Sequence, residues 1–270
     1  MSGLCAIVLA AGEGRRLRPL TEAVPKALCP VGNVPLLDLA LDRLRGLGLT
    51  GPADVAVNAC YLADQVVAAV GDRAHLSVEP GPRPHGTSGG VARLRDWVDG
   101  RGVLVANADA YLSGADLAPL LSGWDGQTVR LLGVPDRRPE FGRHRFAGCS
   151  LLPWSRLTRL TGERSELVRT VWRPAEAARE LTVVEYPGTY LDTGTPADYL
   201  AANLHAAGPT GRLVAPDATV TGTVTQAVVG SRAVVAGMVD RCVVWPGGYV
   251  GRDECLTDVI RFGRSGTVTG

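Results

Sequence analysis

Residues 4–10, LCAIVLA, form an unbroken apolar run that ends in the turn Gly12-Glu13-Gly14. A run this short, apolar at every position and closed by glycine, reads as a strand buried on both faces, as inside a helix-covered parallel sheet. The alternation continues downstream. Residues 35–47 put Leu37, Ala40, Leu41, Leu44 and Leu47 on one helical face and stop at Gly48. Residues 53–58 (ADVAVN) read as a strand, LADQVVAAV as a helix up to Gly71, residues 76–79 as a short strand and residues 89–98 as a helix. VLVAN, residues 103–107, is a second buried strand. This βαβα order predicts an α/β fold with a doubly wound, mostly parallel, Rossmann-like sheet. Such sheets bind ligands beyond the carboxyl ends of their strands, which points to the segments after residues 10, 58 and 107.

The rest of the chain changes character twice. Residues 128–134 and 181–186 look like strands, whereas 136–146 is basic and loop-like. Residues 195–206 read as a helix with Thr195 as N-cap, Pro196 at the first helical position and Asp198 completing an acidic variant of the capping box. After residue 208 helical periods vanish and short Val-rich pieces alternate with Gly, Pro and Asp. AVVGSRAVVAG (227–237) aligns with CVVWPGGYVGR (242–252) at an offset of fifteen, and a third copy begins at residue 259. Internal similarity without helices predicts a short left-handed parallel β-helix with three sides of about six residues per coil. The expected organisation is therefore a first domain over 1–208 and a β-solenoid over 209–270. Open coil ends call for capping or for subunit contact, so a homo-oligomer formed through the solenoid is expected.

Composition narrows the function classes. Hydrophobic residues make up 46% and charged residues 20% of the chain, enough for a sizeable core. A formal net charge of +1 argues against a broad electrostatic footprint for nucleic acid. Cys5, Cys29, Cys60, Cys149, Cys242 and Cys255 are scattered without paired spacing, and the histidines form no zinc motif. The first residues turn acidic and Gly-rich too soon for a signal peptide, and no apolar run reaches membrane-spanning length. The expectation is a cytoplasmic protein that meets neither nucleic acid nor membrane. Lys26 is the single lysine among 28 Lys and Arg residues. Such a survivor marks either a place where a compact ammonium is wanted rather than a planar fork or a chance retention on the surface, and the count alone does not decide.

The densest motif is residues 9–35, LAAGEGRRLRPLTEAVPKALCPVGNVP. A buried strand delivers the chain to glycines, whose backbone N–H groups can approach an anion closely. Arg15, Arg16 and Arg18 crowd the same loop and Lys26 follows. Several cations with open backbone donors suit a triphosphate. A Rossmann fingerprint fails because Leu17 stands where its third glycine belongs, and no Walker A loop is present. A bare Gly-x-Gly also suits an ordinary turn; the whole string is far more specific. Asn107-Ala108-Asp109 ends the VLVAN strand, where a carboxylate could hold a metal facing a ligand or simply cap a turn. Asp192, in GTYLDTGTP, precedes the Thr195 cap by three residues and is not needed for it.

Residues 9–35 resemble the signature of the sugar nucleotidyltransferases, close to LAAGxGTRLRPLTxxxPKxxxPVxNxP, with Arg15 in place of the family threonine. Residues 188–203 resemble the family's GYWxDxGTPxDYLxAN. The resemblance spans residues 4–206 and implies an NTP and a sugar 1-phosphate as substrates, with Mg²⁺ as cofactor. It implies that Arg16, Lys26 and Asp109 are catalytic and that Leu9, Ala10, Ala11, Gly12, Gly14, Arg15, Gly86 and Thr87 bind the nucleotide. Asn107, Gly148 and Asp192 are implied on the sugar-phosphate side, and Asp109 and Asp192 as the metal ligands. His85–Gly90 corresponds to the family's LGTAGG loop, Phe146–Cys149 to the segment against the sugar, and Asn58–Leu62 to the NxxYL stretch of guanylyl-type members. One departure stands out: the family's mid-chain Glu-Lys-Pro is missing, leaving Arg137, Arg138, Arg143 or Arg145 to meet the sugar phosphate or to form a solvated loop.

The implied reaction is in-line attack of the sugar-1-phosphate oxygen on the α-phosphorus of the NTP, with GTP and mannose 1-phosphate or a heptose 1-phosphate favoured. dTTP or UTP with glucose 1-phosphate or a related amino sugar is the alternative. A non-catalytic sugar-nucleotide sensor is a rival from another class, but a sensor would not need a metal pair. A glycosyltransferase using a finished nucleotide sugar, a donor already lacking its pyrophosphate, would leave the residue 9–26 loop without that ligand.

Overall fold

The computed structural model describes residues 3–270. The chain packs as two compact units. One comprises the chain up to Glu13, Pro25–Ala27 and Leu37–Tyr190; the other comprises Gly14–Val24, Leu28–Leu36 and Leu191–Gly270.

The first unit is built on a seven-stranded sheet. Its strands are β1 (Leu4–Leu9), β2 (Val55–Ala59), β3 (His75–Val78), β4 (Gly102–Asn107), β5 (Val129–Pro135), β6 (His144–Leu152) and β7 (Leu181–Glu185), in spatial order β7-β5-β6-β4-β1-β2-β3. Helices α1 (Leu36–Gly46), α2 (Ala63–Val70) and α3 (Gly86–Ala92) link the first strands. β1, β2, β3 and β4 run parallel, as do β5 and β7, while β6 is antiparallel to both its neighbours. Cys5, Ala6, Ile7 and Val8 are all completely buried, which is why the β1 run shows no alternation. One apolar cluster around Ile7, Val91, Val103, Leu131, Leu152 and Val171 joins helices to the sheet.

Two sequence expectations shift. The helix expected over 89–98 is two short pieces, Gly86–Ala92 and Arg95–Val98. The break turns Leu94 inward, where it is 2% exposed. β6 carries no clear sequence signal because residues 147–152 are buried on both faces and include Gly148 and Ser150. Its place is set by pairing on both sides rather than by its own pattern.

In the second unit the solenoid coils stack in parallel register. Leu213 faces Val228 and Val228 faces Val243, while Val220 faces Val235 and Val235 faces Val250. The step is fifteen residues over three unequal sides, a mean of five a side where about six were expected. Single left-handed residues turn one recurring corner: Gln226 (φ 46°), Arg241 (φ 49°) and Asp258 (φ 55°). In the last coil Met238 faces Cys255, two residues further on, so the turn over 251–254 absorbs an insertion. Val229, Val235, Val239, Val244 and Val250 fill the coil interior. Val259–Phe262 pairs antiparallel with Gly266–Thr269, which covers the final coil's edge with the chain's own backbone. Helix α4 (Pro196–Ala206) also belongs to this unit. Its cap is as expected: the Thr195 hydroxyl accepts from the Asp198 N–H at 3.2 Å and donates to the Asp198 carboxylate at 2.6 Å. Among the described residues no helix is long and apolar enough to cross a membrane.

Candidate active site

The parallel register brings Leu9 opposite both Asn58 and Asn107, so β1, β2 and β4 end at one edge. A short polar chain fixes the turn that leaves it. The Ala10 N–H donates to Asn58 Oδ1 at 2.8 Å, and Asn58 Nδ2 donates to Glu79 Oε1 at 2.7 Å. Glu79 Oε2 accepts the His85 N–H at 2.7 Å. Asn58 and Glu79 are 2% and 4% exposed, so each must be partnered, and together they tie the residue 9–12 turn to the approach to α3. An ideal Cβ on Gly90 would lie 2.5 Å from Asn58 Nδ2, which explains the glycine there. At Gly12, by contrast, a Cβ would meet nothing within 4 Å. No neighbour in the chain requires that glycine.

Gly86 (φ 75°) opens α3 against residues 165–166. Glu166 Oε2 accepts from the Thr87 N–H at 3.1 Å and the Thr87 hydroxyl at 2.7 Å, and the Leu167 N–H donates to that hydroxyl at 2.8 Å. Thr87 is thus held by Glu166, an acidic residue that nothing in the sequence singled out. Glu79 was legible in principle, as a carboxylate just beyond a strand at the same carboxyl edge.

At the end of β4 the Ala108 N–H donates to the Leu9 carbonyl at 3.1 Å, stitching the two strand exits together. Ala108 shows no left-handed backbone, so its methyl group brings no conformational strain. Lys26 Nζ donates to Asp109 Oδ2. The lysine is 8% exposed, whereas the Asp109 side chain is 38% exposed. A buried ammonium needs such a partner, and the carboxylate itself stays partly exposed. Gly148 (φ 81°) passes so close to this strand exit that a Cβ would lie 2.3 Å from that of Ala110. Beside it, burial pushes the Cys149 thiol up to about 11, leaving it inert.

The remaining expected residues lie in the second unit. Gly14 (φ 60°) starts the turn Arg15–Leu17, in which buried Leu17 anchors two exposed arginines, and the Thr21 hydroxyl donates to the Gly14 carbonyl at 2.9 Å. Arg16 Nη2 lies 4.0 Å from Asp192 Oδ2. Gly194 leaves room for this pair, since a Cβ there would come within 2.5 Å of Arg16 Nη2. Each unit therefore carries one cation–carboxylate pair from the residues singled out: Lys26–Asp109 in the first and Arg16–Asp192 in the second.

The basic mid-chain loop resolves into separate roles. Arg143 Nη2 donates to Glu185 at 2.8 Å, and His144 joins the same carboxylate at 3.0 Å. These two partners hold the Glu185 carboxyl below its ordinary range, His144 contributing most. Arg145 lies over the Tyr190 ring, 5.7 Å from its centroid. Arg137 and Arg138 are exposed.

The chain's likeness to known proteins follows this geometry. The family model for the MobA-like NTP transferase domain matches residues 6–184. A stretch of 109 residues is 37% identical to the N-acetylmuramate alpha-1-phosphate uridylyltransferase of Neisseria meningitidis serogroup B, covering 38% of this chain and 46% of that protein. A stretch of 141 residues is 35% identical to the mannose-1-phosphate guanylyltransferase of Mycobacterium tuberculosis, covering 49% and 38%. The matched stretch is thus under half the length of either curated relative. In fold, the chain matches a Thermus thermophilus protein described as a mannose-1-phosphate geranyltransferase, with TM-score 0.69 and 19% identity over 98% of this chain and 94% of that one.

Proposed function

The chain belongs to the MobA-like NTP transferase family, and we propose that it joins an NTP to a sugar 1-phosphate with release of pyrophosphate. The observation that carries this reading is the Lys26–Asp109 pair at the strand edge beside the residue 9–12 turn. The chain's one lysine is buried against a carboxylate that is still partly open, a cation for phosphate next to an anion for a divalent metal.

The attacking sugar-phosphate oxygen is already anionic, so no protein base is required. Its bond to the α-phosphorus forms as the bond from that phosphorus to the α–β bridging oxygen breaks, and pyrophosphate leaves. Positioning and charge neutralisation are the protein's task. Leu9–Gly12 and Gly86–Thr87 would receive the nucleotide, Asn107 and Gly148 the sugar side, and Arg16 and Lys26 the phosphates that become pyrophosphate. Asp109 and Asp192 would be the ligands of Mg²⁺, since carboxylate oxygens are the hard donors it takes, usually one or two of them together with substrate phosphates. When bound, it would neutralise the developing charge on the phosphates. GTP with mannose 1-phosphate or a heptose 1-phosphate is the favoured pair. The uridylyltransferase among the relatives supports UTP with an amino-sugar 1-phosphate as the second reading. Further proposals concern organisation: a left-handed solenoid over 209–270 following a nucleotidyltransferase domain over 1–208, self-association through the exposed Met238 and Tyr249, and residence in the cytoplasm.

Pyrophosphate release across four NTPs and a panel of sugar 1-phosphates tests the activity. Asp109→Asn and Asp192→Asn should each lower kcat/KM by about a hundredfold or more, and chelation should abolish turnover. Near-normal rates in both variants would end the assignment.

A further inference from the structure

In the second unit, three separate hydrogen bonds clamp the hairpin Pro30–Pro35 onto the solenoid and helix α4. Tyr199, completely buried in the middle of α4, donates its hydroxyl proton to the Pro30 carbonyl, and the Trp245 indole N–H donates to that same hydroxyl oxygen at 3.0 Å. Asn203, also completely buried, accepts the Gly32 N–H at 3.0 Å and donates to the Tyr199 carbonyl at 3.0 Å. Asn33 reaches the solenoid directly, donating to the Val229 carbonyl at 3.1 Å. Gly32 (φ 59°) lets the hairpin come this close, since a Cβ there would lie 2.8 Å from that of Ala206. The ring of Trp245 meets both Tyr199 and Phe262 edge to face, which ties the indole to the last coil.

Adhesion alone would be served by an apolar contact. Buried polar groups that satisfy one another fix orientation, because any slip leaves an unpaired donor or acceptor in the interior. What they orient is significant. The hairpin closes the signature string that contains Arg16, and α4 begins just after Asp192, the carboxylate facing Arg16. We propose that Tyr199 is a positioning residue whose hydroxyl, held by Trp245 of the solenoid, sets the hairpin and thereby the Arg16–Asp192 pair for phosphate handling. The solenoid is then a working part of the site. This rests on the reading of Arg16 and Asp192 as phosphate and metal groups, but its first readout needs no substrate.

Hydrogen–deuterium exchange on the full chain compares wild type with Tyr199→Phe. Exchange over residues 14–24 and 28–36 should rise by about tenfold or more, with β2 unchanged. In the transfer assay kcat should fall by about tenfold. Adding Trp245→Phe to Tyr199→Phe removes the orphaned indole donor; it should recover thermal stability but not protection or kcat. Trp245→Phe alone keeps the Tyr199–Pro30 bond, so it stands in should Tyr199→Phe fail to fold, and it should loosen the same two segments to a lesser degree. Unchanged exchange in these segments, a uniform rise across the whole unit, or recovery of kcat by the double variant would each overturn the proposal. An inactive wild type whose Tyr199→Phe variant still loosens 14–36 would overturn the transferase reading and leave the clamp standing.

Discussion

Gly12 and Gly90 are glycines for different reasons. Asn58 and Glu79 occupy the volume that any side chain on Gly90 would need, whereas Gly12 faces open space in an ordinary backbone region. Gly12→Ala should therefore leave stability unchanged or raise it by about 0.4–1 kcal/mol through the unfolded chain. The same variant should raise the KM for NTP by about tenfold, because the new methyl enters the proposed nucleotide space. A thermal melt beside substrate kinetics separates the two effects; a destabilised variant with normal KM would assign Gly12 to packing. Lys26 tests the charge. Lys26→Met keeps the length and apolarity of the buried stem but removes the ammonium, so Asp109 turns to solvent through its open face. Measured kcat/KM should drop by about a hundredfold with a stability change of only about 1–3 kcal/mol. Lys26→Arg should not restore it, since a planar fork needs room that a residue 8% exposed does not have.

At the level of elements, helix α4 shows how local sequence and tertiary contact divide the work. Its start is written locally in Thr195, Pro196 and Asp198. Thr195→Ala should cost about 1 kcal/mol in urea denaturation, with Thr195→Ser near wild type. Equal stability of both variants would show that packing of α4 alone defines its start. Its middle is different: Tyr199 and Asn203 lie on its buried face and spend their polar atoms on the hairpin and the solenoid. β6 is the opposite case, an element with no start signal at all. It exists because β4 and β5 each offer it an antiparallel partner.

For the whole molecule, burial sorts the thiols. None of the six cysteines is in a disulfide. Burial pushes Cys5 and Cys149 up to about 11, and it also raises Cys60 and Cys242, while Cys255 is exposed on the solenoid. A thiol-exchange reagent at pH 8 should label Cys255 rapidly and Cys5 and Cys149 only after denaturation, when all six react. Mass spectrometry of the labelled peptides checks the order. Fast labelling of Cys149 would contradict its burial beside Gly148.

From the sequence alone came the α/β class, the strand exits after residues 10, 58 and 107, the fifteen-residue solenoid offset, and the residues that proved to form pairs. These are legible because buried strands, glycine turns and repeats impose local periods that side-chain chemistry cannot hide. Only tertiary structure decided that Lys26 closes on Asp109 and Arg16 on Asp192, that Glu166 holds Thr87, that β6 enters the sheet, and that α4 clamps the hairpin. Each of these joins residues distant along the chain, and a hydrogen bond or ion pair between such residues leaves no period in the sequence. It is set when burial removes water and every polar group left inside must find a partner.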